Sequence, residues 1–93
     1  MTDPLELLRA RFIDRCRSDL DQLRGLAPDH PDVGMIAHRL AGSAGSFGYP
    51  EISEAAAVVD DRARYGPTLS PEAVQILIGA LEKAVNVTFA DRH

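Results

Sequence analysis

Apolar residues recur along the chain at intervals of three and four, the spacing of helices that bury one side. Leu5, Leu8, Phe12, Cys16, Leu20 and Leu23 form the first stripe. It starts under a cap at Thr2 or Asp3, with Pro4 in the first turn, and ends near Gly25 to Pro28. The break Ala27-Pro28-Asp29-His30-Pro31 offers a new cap at Asp29 or His30. Val33, Ile36, Leu40 and Phe47, flanked by Ala37 and Ala44, then predict a second helix running to Gly48. Gly48-Tyr49-Pro50 closes tightly, so a third helix must turn back against the second. From Pro50 to about Tyr65 that helix carries Ile52, Ala55, Ala56, Val59 and Ala63, a narrow stripe suited to close packing. Glu51 and Glu54 sit near its positive end. Gly66-Pro67 stops it, and Ser70-Pro71-Glu72 starts a fourth helix. Val74, Leu77, Ile78, Leu81, Ala84 and Val85 give this last helix a face broader than one neighbour covers. Short connections make successive helices antiparallel, so the prediction is an all-α, antiparallel up-down four-helix bundle, a single domain over residues 1–93.

One surface in this pattern is unusual. On the side of the second helix opposite its apolar stripe fall Gly34, His38, Ala41, Gly42 and Gly45. A glycine inside a helix costs roughly 1 kcal/mol relative to alanine, and three on one face need a compensating reason. Close approach supplies one: a surface stripped of side chains beside His38 lets another protein come down onto the imidazole.

Composition narrows what that imidazole does. The chain has 93 residues, 45% of them hydrophobic and 26% charged, ordinary for one small soluble domain. A formal net charge of −4 argues against a nucleic-acid module, which needs a clustered basic face. No apolar run approaches the length of a membrane span, and Met1-Thr2-Asp3-Pro4 lacks the basic start of a signal peptide; a cytoplasmic location is expected, with no membrane partner. Cys16 is the one cysteine and lies in an apolar stripe, so a buried thiol is expected. His30 reads as a cap or loop residue and His93 is terminal, and three histidines so scattered lack zinc spacing. Arg9, Arg11, Arg15 and Arg17, interleaved with Asp14 and Asp19, read as a solvated face. Leu7, Val58, Tyr65 and Phe89 fall off the main stripes, either as isolated surface hydrophobes or as the rim of a docking patch.

The run Ala37-His38-Arg39-Leu40-Ala41-Gly42-Ser43-Ala44-Gly45-Ser46-Phe47-Gly48 resembles the signature of histidine-containing phosphotransfer (HPt) domains. In that family the phosphorylated histidine is followed by leucine two residues on and by glycines four, seven and ten residues on. Leu40, Gly42, Gly45 and Gly48 stand at those positions. The resemblance implies that His38 accepts a phosphoryl group and that the partners are receiver domains of response regulators or hybrid histidine kinases. It implies no cofactor bound by this chain, since the Mg²⁺ of the reaction belongs to the receiver.

The chain departs from the family at one place: the usual lysine three residues after the histidine is Ala41. In the family that cation is thought to help hold the phosphoryl group. Arg39, beside the ring, is one candidate substitute and Arg64 another. Folding the second and third helices about Tyr49 brings Asp60 level with His38, and Arg64 one turn further along. Asp60 would then orient the imidazole N–H while Arg64 offers charge to the phosphate; the alternative is that both are solvent-facing helix charges.

The chemistry is consistent with this resemblance. A neutral imidazole is a good nucleophile towards phosphorus, and with an ordinary pKa near ~6.5 an exposed one is mostly neutral at cellular pH. Phosphoryl transfer rests on positioning and charge neutralisation, which the receiver supplies. Gly42, Gly45 and Gly48 lie inside or at the end of a helix instead of after a strand, so no nucleotide loop, ATP binding or autophosphorylation is expected. A monomer is expected. A second hypothesis is a non-catalytic interaction module that binds a receiver or a partner helix without phosphotransfer.

Overall fold

The computed structural model of the chain describes residues 3–66 and 71–90, with side chains through Asn86. Four α-helices follow one another: α1 (Pro4–Gly25), α2 (Pro31–Ala44), α3 (Pro50–Tyr65) and α4 (Pro71–Ala90). A short 3₁₀ turn, Gly45–Phe47, follows α2. No strand occurs among the described residues. The helices form an antiparallel bundle in which α3 packs along both α2 and α4, and α1 packs on α4. The caps expected at Thr2 and Ser70, together with Pro67, His93 and the side chain of Phe89, fall outside the described residues.

Local chemistry starts and stops each helix. The Asp3 carboxylate accepts the Leu5 N–H at 3.0 Å to begin α1. His30 begins α2 in the same way, its Nδ1 accepting the Asp32 N–H at 3.0 Å. The second helix ends earlier than its stripe predicts. The chain tightens after Ala44, and Gly48 adopts φ 85°, a left-handed conformation that favours glycine. The Tyr49 N–H then donates to the Ala44 carbonyl at 3.0 Å and closes the hairpin onto α3.

The core is the set of stripes that periodicity marks, with corrections at the edges. Cys16, Leu20, Leu23, Val33, Ile36, Leu40, Ile52, Val59, Val74, Leu77, Leu81 and Val85 are buried. Ile13 and Ala73 join them, although neither belongs to the stripes predicted from spacing. Phe47, expected in the core, is half-buried; its ring stacks on Phe12 with centroids 5.0 Å apart. Because Phe47 ends the turn after α2 and meets Phe12, the first two turns of α1 run past the end of the hairpin. Leu5 and Leu8 are therefore exposed along with Leu7, instead of buried. Cys16 is fully buried, which pushes its thiol pKa up to about 12, with the charge of Asp19 adding to the rise.

Two further corrections position the site. Gly34 does not share an open solvent face with His38. A Cβ built there would stand 3.0 Å from the Ala63 Cβ, so this glycine lets α3 approach α2. Gly34→Leu is expected to lose about 1–3 kcal/mol of stability by wedging the two helices apart; a urea melt indistinguishable from the parent's would contradict the close approach. Asp19, read as part of a solvated face, is 2% exposed. It sits three residues after Cys16 and four before Leu23, on the apolar stripe itself.

Candidate functional site

His38 projects from the middle of α2 at the edge that borders α3. Its side chain is 63% exposed. The antiparallel hairpin places Asp60 across from it, and the imidazole Nδ1 lies 3.2 Å from Asp60 Oδ2. One helical turn on, Arg64 folds back: its Nε donates to Asp60 Oδ1 at 3.0 Å. Its Nη2 lies 2.9 Å from Nδ1 of His38 and 3.5 Å from Nε2. The hairpin thus brings His38, Asp60 and Arg64 together, on opposite sides of Tyr49.

The three side chains differ in their freedom. The Asp60 carboxylate is 17% exposed and is fixed in the hairpin, whereas Arg64 is 48% exposed. Desolvation alone would raise the Asp60 pKa, but the hydrogen bonds from His38 and Arg64, with the nearby Arg64 charge, outweigh it and hold the carboxyl below its ordinary value. The hydrogen bond and charge of Asp60 in turn raise the pKa of Arg64. The cluster therefore holds one firm carboxylate and one firm cation against the ring.

The remaining candidates go elsewhere. Arg39 is adjacent to His38 in sequence, but its guanidinium reaches the opposite way and pairs with the buried Asp19 of α1. That pair, together with the Phe12–Phe47 stack, ties α2 to α1. Ala41 is half-buried and packs against the core, and its carbonyl accepts the Ser53 hydroxyl at 3.0 Å. The signature glycines divide by role. A Cβ at Gly42 would meet nothing within 4 Å, one at Gly45 would make an ordinary contact with Ser53, and Gly48 provides the left-handed turn.

Beside His38, an open groove of about 740 Å³ runs between the start of α2 and the end of α3, lined by Pro31, Gly34, Met35, Asp60, Ala63 and Arg64. Met35 is 66% exposed there, and it falls outside the apolar stripes. Its place three residues before His38 puts it on the same helical face. Val58 belongs to another groove, between α3 and α4, where it lies with Ile76.

Among the described residues, no group of three or more histidine, cysteine, aspartate or glutamate side chains is arranged to hold a metal ion. No described helix is long and apolar enough to cross a membrane. No curated protein and no solved structure matches the chain. The Hpt domain family model matches residues 7–87, a span that takes in α2, α3 and the whole His38 cluster. On that match, the chain belongs to the Hpt domain family, the histidine phosphotransfer family of phosphorelays.

Proposed function

We propose that this protein is a phosphoryl carrier in a two-component phosphorelay, in which His38 takes a phosphoryl group from the aspartyl phosphate of one receiver domain and passes it to the aspartate of another. The observation that carries this reading is an imidazole 63% exposed on a helix edge, engaged by a carboxylate at Nδ1, not at Nε2. Nε2 is then the nitrogen that attacks. The receiver contributes its aspartate and Mg²⁺, and this chain contributes access and local charge. It needs no nucleotide site and no kinase activity of its own.

Ala41 in place of the usual lysine favours a second reading, a module that binds a receiver without accepting phosphate. One experiment separates the two. Incubation with a phosphorylated receiver should move the label onto this chain, in a form labile to acid and stable to base. Stable binding with no label on the chain would support the second reading.

The open surface at Gly42 gives a further expectation. A Cβ built there would meet nothing within 4 Å. Gly42→Gln should therefore leave the melting temperature unchanged or raise it slightly, because glutamine is the better helix former. It should nevertheless slow transfer at least about tenfold, equivalent to ~1.4 kcal/mol, by obstructing the receiver. An unchanged transfer rate would show that this surface is not where the partner docks.

A further inference from the structure

Three residues before His38, on the same side of α2, Met35 stands 66% exposed. It is the largest apolar side chain bordering the groove that His38 itself lines, and its neighbours there, Pro31, Gly34 and Ala63, are small. The buried contacts of α2 are made without it, by Val33, Ile36, Ala37, Leu40 and Ala44. The charges around the groove nearly cancel. Arg64 is held by Asp60 and Arg39 by Asp19, and Arg62 on α3 is matched by Asp29 before α2. Apolar contact, more than net charge, is what this surface offers a partner.

A receiver that reaches His38 also reaches Met35. Even a transient protein contact occupies about 600 Å² of each partner, a patch about 14 Å in radius. At ~1.5 Å of rise per residue, Met35 lies only ~4.5 Å along α2 from His38, and Gly42 ~6 Å the other way. A patch of that size centred on the imidazole takes in both. Building on the phosphotransfer reading, we propose that Met35 is the apolar anchor of the receiver interface: the receiver that brings its aspartate to Nε2 of His38 seats the Met35 side chain in an apolar depression beside that aspartate.

Gly42 gives the receiver room on one side of the imidazole, and Met35 gives it a grip on the other. Side chains fully desolvated near the centre of an interface carry most of its affinity, and methionine is enriched in such contacts. A phosphoryl carrier also meets two receivers of different surface, one that donates and one that accepts. Methionine suits that task, because its unbranched, polarisable thioether repacks against surfaces of different shape. Ile76 is equally exposed at 66%, but it lies in the groove between α3 and α4, which no member of the His38 cluster lines. It serves as the control.

The test observes Met35 itself. The chain has two methionines, Met1 and Met35, so ¹³C-methyl labelling gives two signals that Met35→Leu assigns. Titration with a receiver domain that binds the parent chain, activated with beryllofluoride and Mg²⁺, should shift or broaden the Met35 methyl signal while the Ile76 methyl signals stay in place. Met35→Ala should weaken binding of that receiver about tenfold, as expected when a buried interface side chain is truncated. Met35→Glu should weaken it further, because a charge without a partner would be buried. Met35→Leu, close in volume, should keep most of the affinity, and Ile76→Ala should bind as the parent does. In transfer from the phosphorylated receiver, Met35→Ala should raise KM and leave kcat unchanged. Its labelling by phosphoramidate, a small donor that needs no docking surface, should match the parent's. An unmoved Met35 methyl signal in the complex, or the parent's affinity in both Met35→Ala and Met35→Glu, would overturn the anchor. Lost phosphoramidate labelling in Met35→Ala would overturn it too, by showing that Met35 acts on the ring and not on docking. A parent chain whose Met35 signal shifts but which takes no label would instead overturn the phosphotransfer reading and leave the anchor standing.

Discussion

Glutamine in place of His38 is expected to abolish labelling by a phosphorylated receiver while leaving the fold intact. The ring is 63% exposed and belongs to none of the buried contacts of α2, which are made by Val33, Ile36, Ala37, Leu40 and Ala44. Glutamine favours a helix at least as well as histidine does. Asp60 and Arg64 keep their own pair one turn apart on α3. No other described side chain is placed to take over. His30 spends Nδ1 on the cap of α2, and Cys16 is buried with its pKa near about 12, so it remains a thiol at neutral pH. The measurement is transfer of labelled phosphate, with circular dichroism as the control for folding. Label persisting in His38→Gln at the parent's level would place the acceptor elsewhere.

Arg39→Ala is expected to cost as much stability as Gly34→Leu. Asp19 is 2% exposed, one of its carboxylate oxygens has no hydrogen-bond partner, and its pairing cation is Arg39. Breaking a fully buried pair costs about 3–5 kcal/mol. Arg39 is 43% exposed and partly screened, so about 1–3 kcal/mol is expected here. Removing both partners with Asp19→Leu/Arg39→Ala should recover most of that loss, because no uncompensated charge remains. The pH dependence has a definite sign. Burial raises the Asp19 pKa above its ordinary 3.8, overriding the lowering by Arg39 and Arg15. Folding therefore favours the protonated acid, so the contribution of Asp19 to stability is full below 3.8 and is lost as pH rises through its folded-state value. Without Arg39 that value moves higher still. The deficit of Arg39→Ala should consequently be greatest at neutral pH and shrink as the solution is acidified towards 3.8. Urea melts at several pH values check this, and a deficit that grows on acidification would contradict it.

Much of the architecture is legible in the residue pattern because helices announce themselves through spacing and through caps such as Asp3 and His30. The His38, Asp60 and Arg64 juxtaposition is legible for a related reason: a tight hairpin about Tyr49 pairs positions at equal distances from it. What spacing does not carry is how far each helix face borders its neighbours. Gly34 and His38 share a face, but that face is the edge against α3, so one glycine serves internal packing while Gly42 remains open. Asp19 is misread because its charge suggests water, although its position lies on the apolar stripe. Leu5 and Leu8 are misread because a stripe continues in sequence beyond the point where partners remain to cover it.

Whether His38 carries the phosphoryl group on Nε2 is decided by ³¹P and ¹⁵N NMR of the chain after exposure to a phosphorylated receiver. A single phosphoramidate resonance is expected, coupled to Nε2 of His38 and absent from His38→Gln. A resonance assigned to another residue, or to Nδ1 of His38, would contradict it.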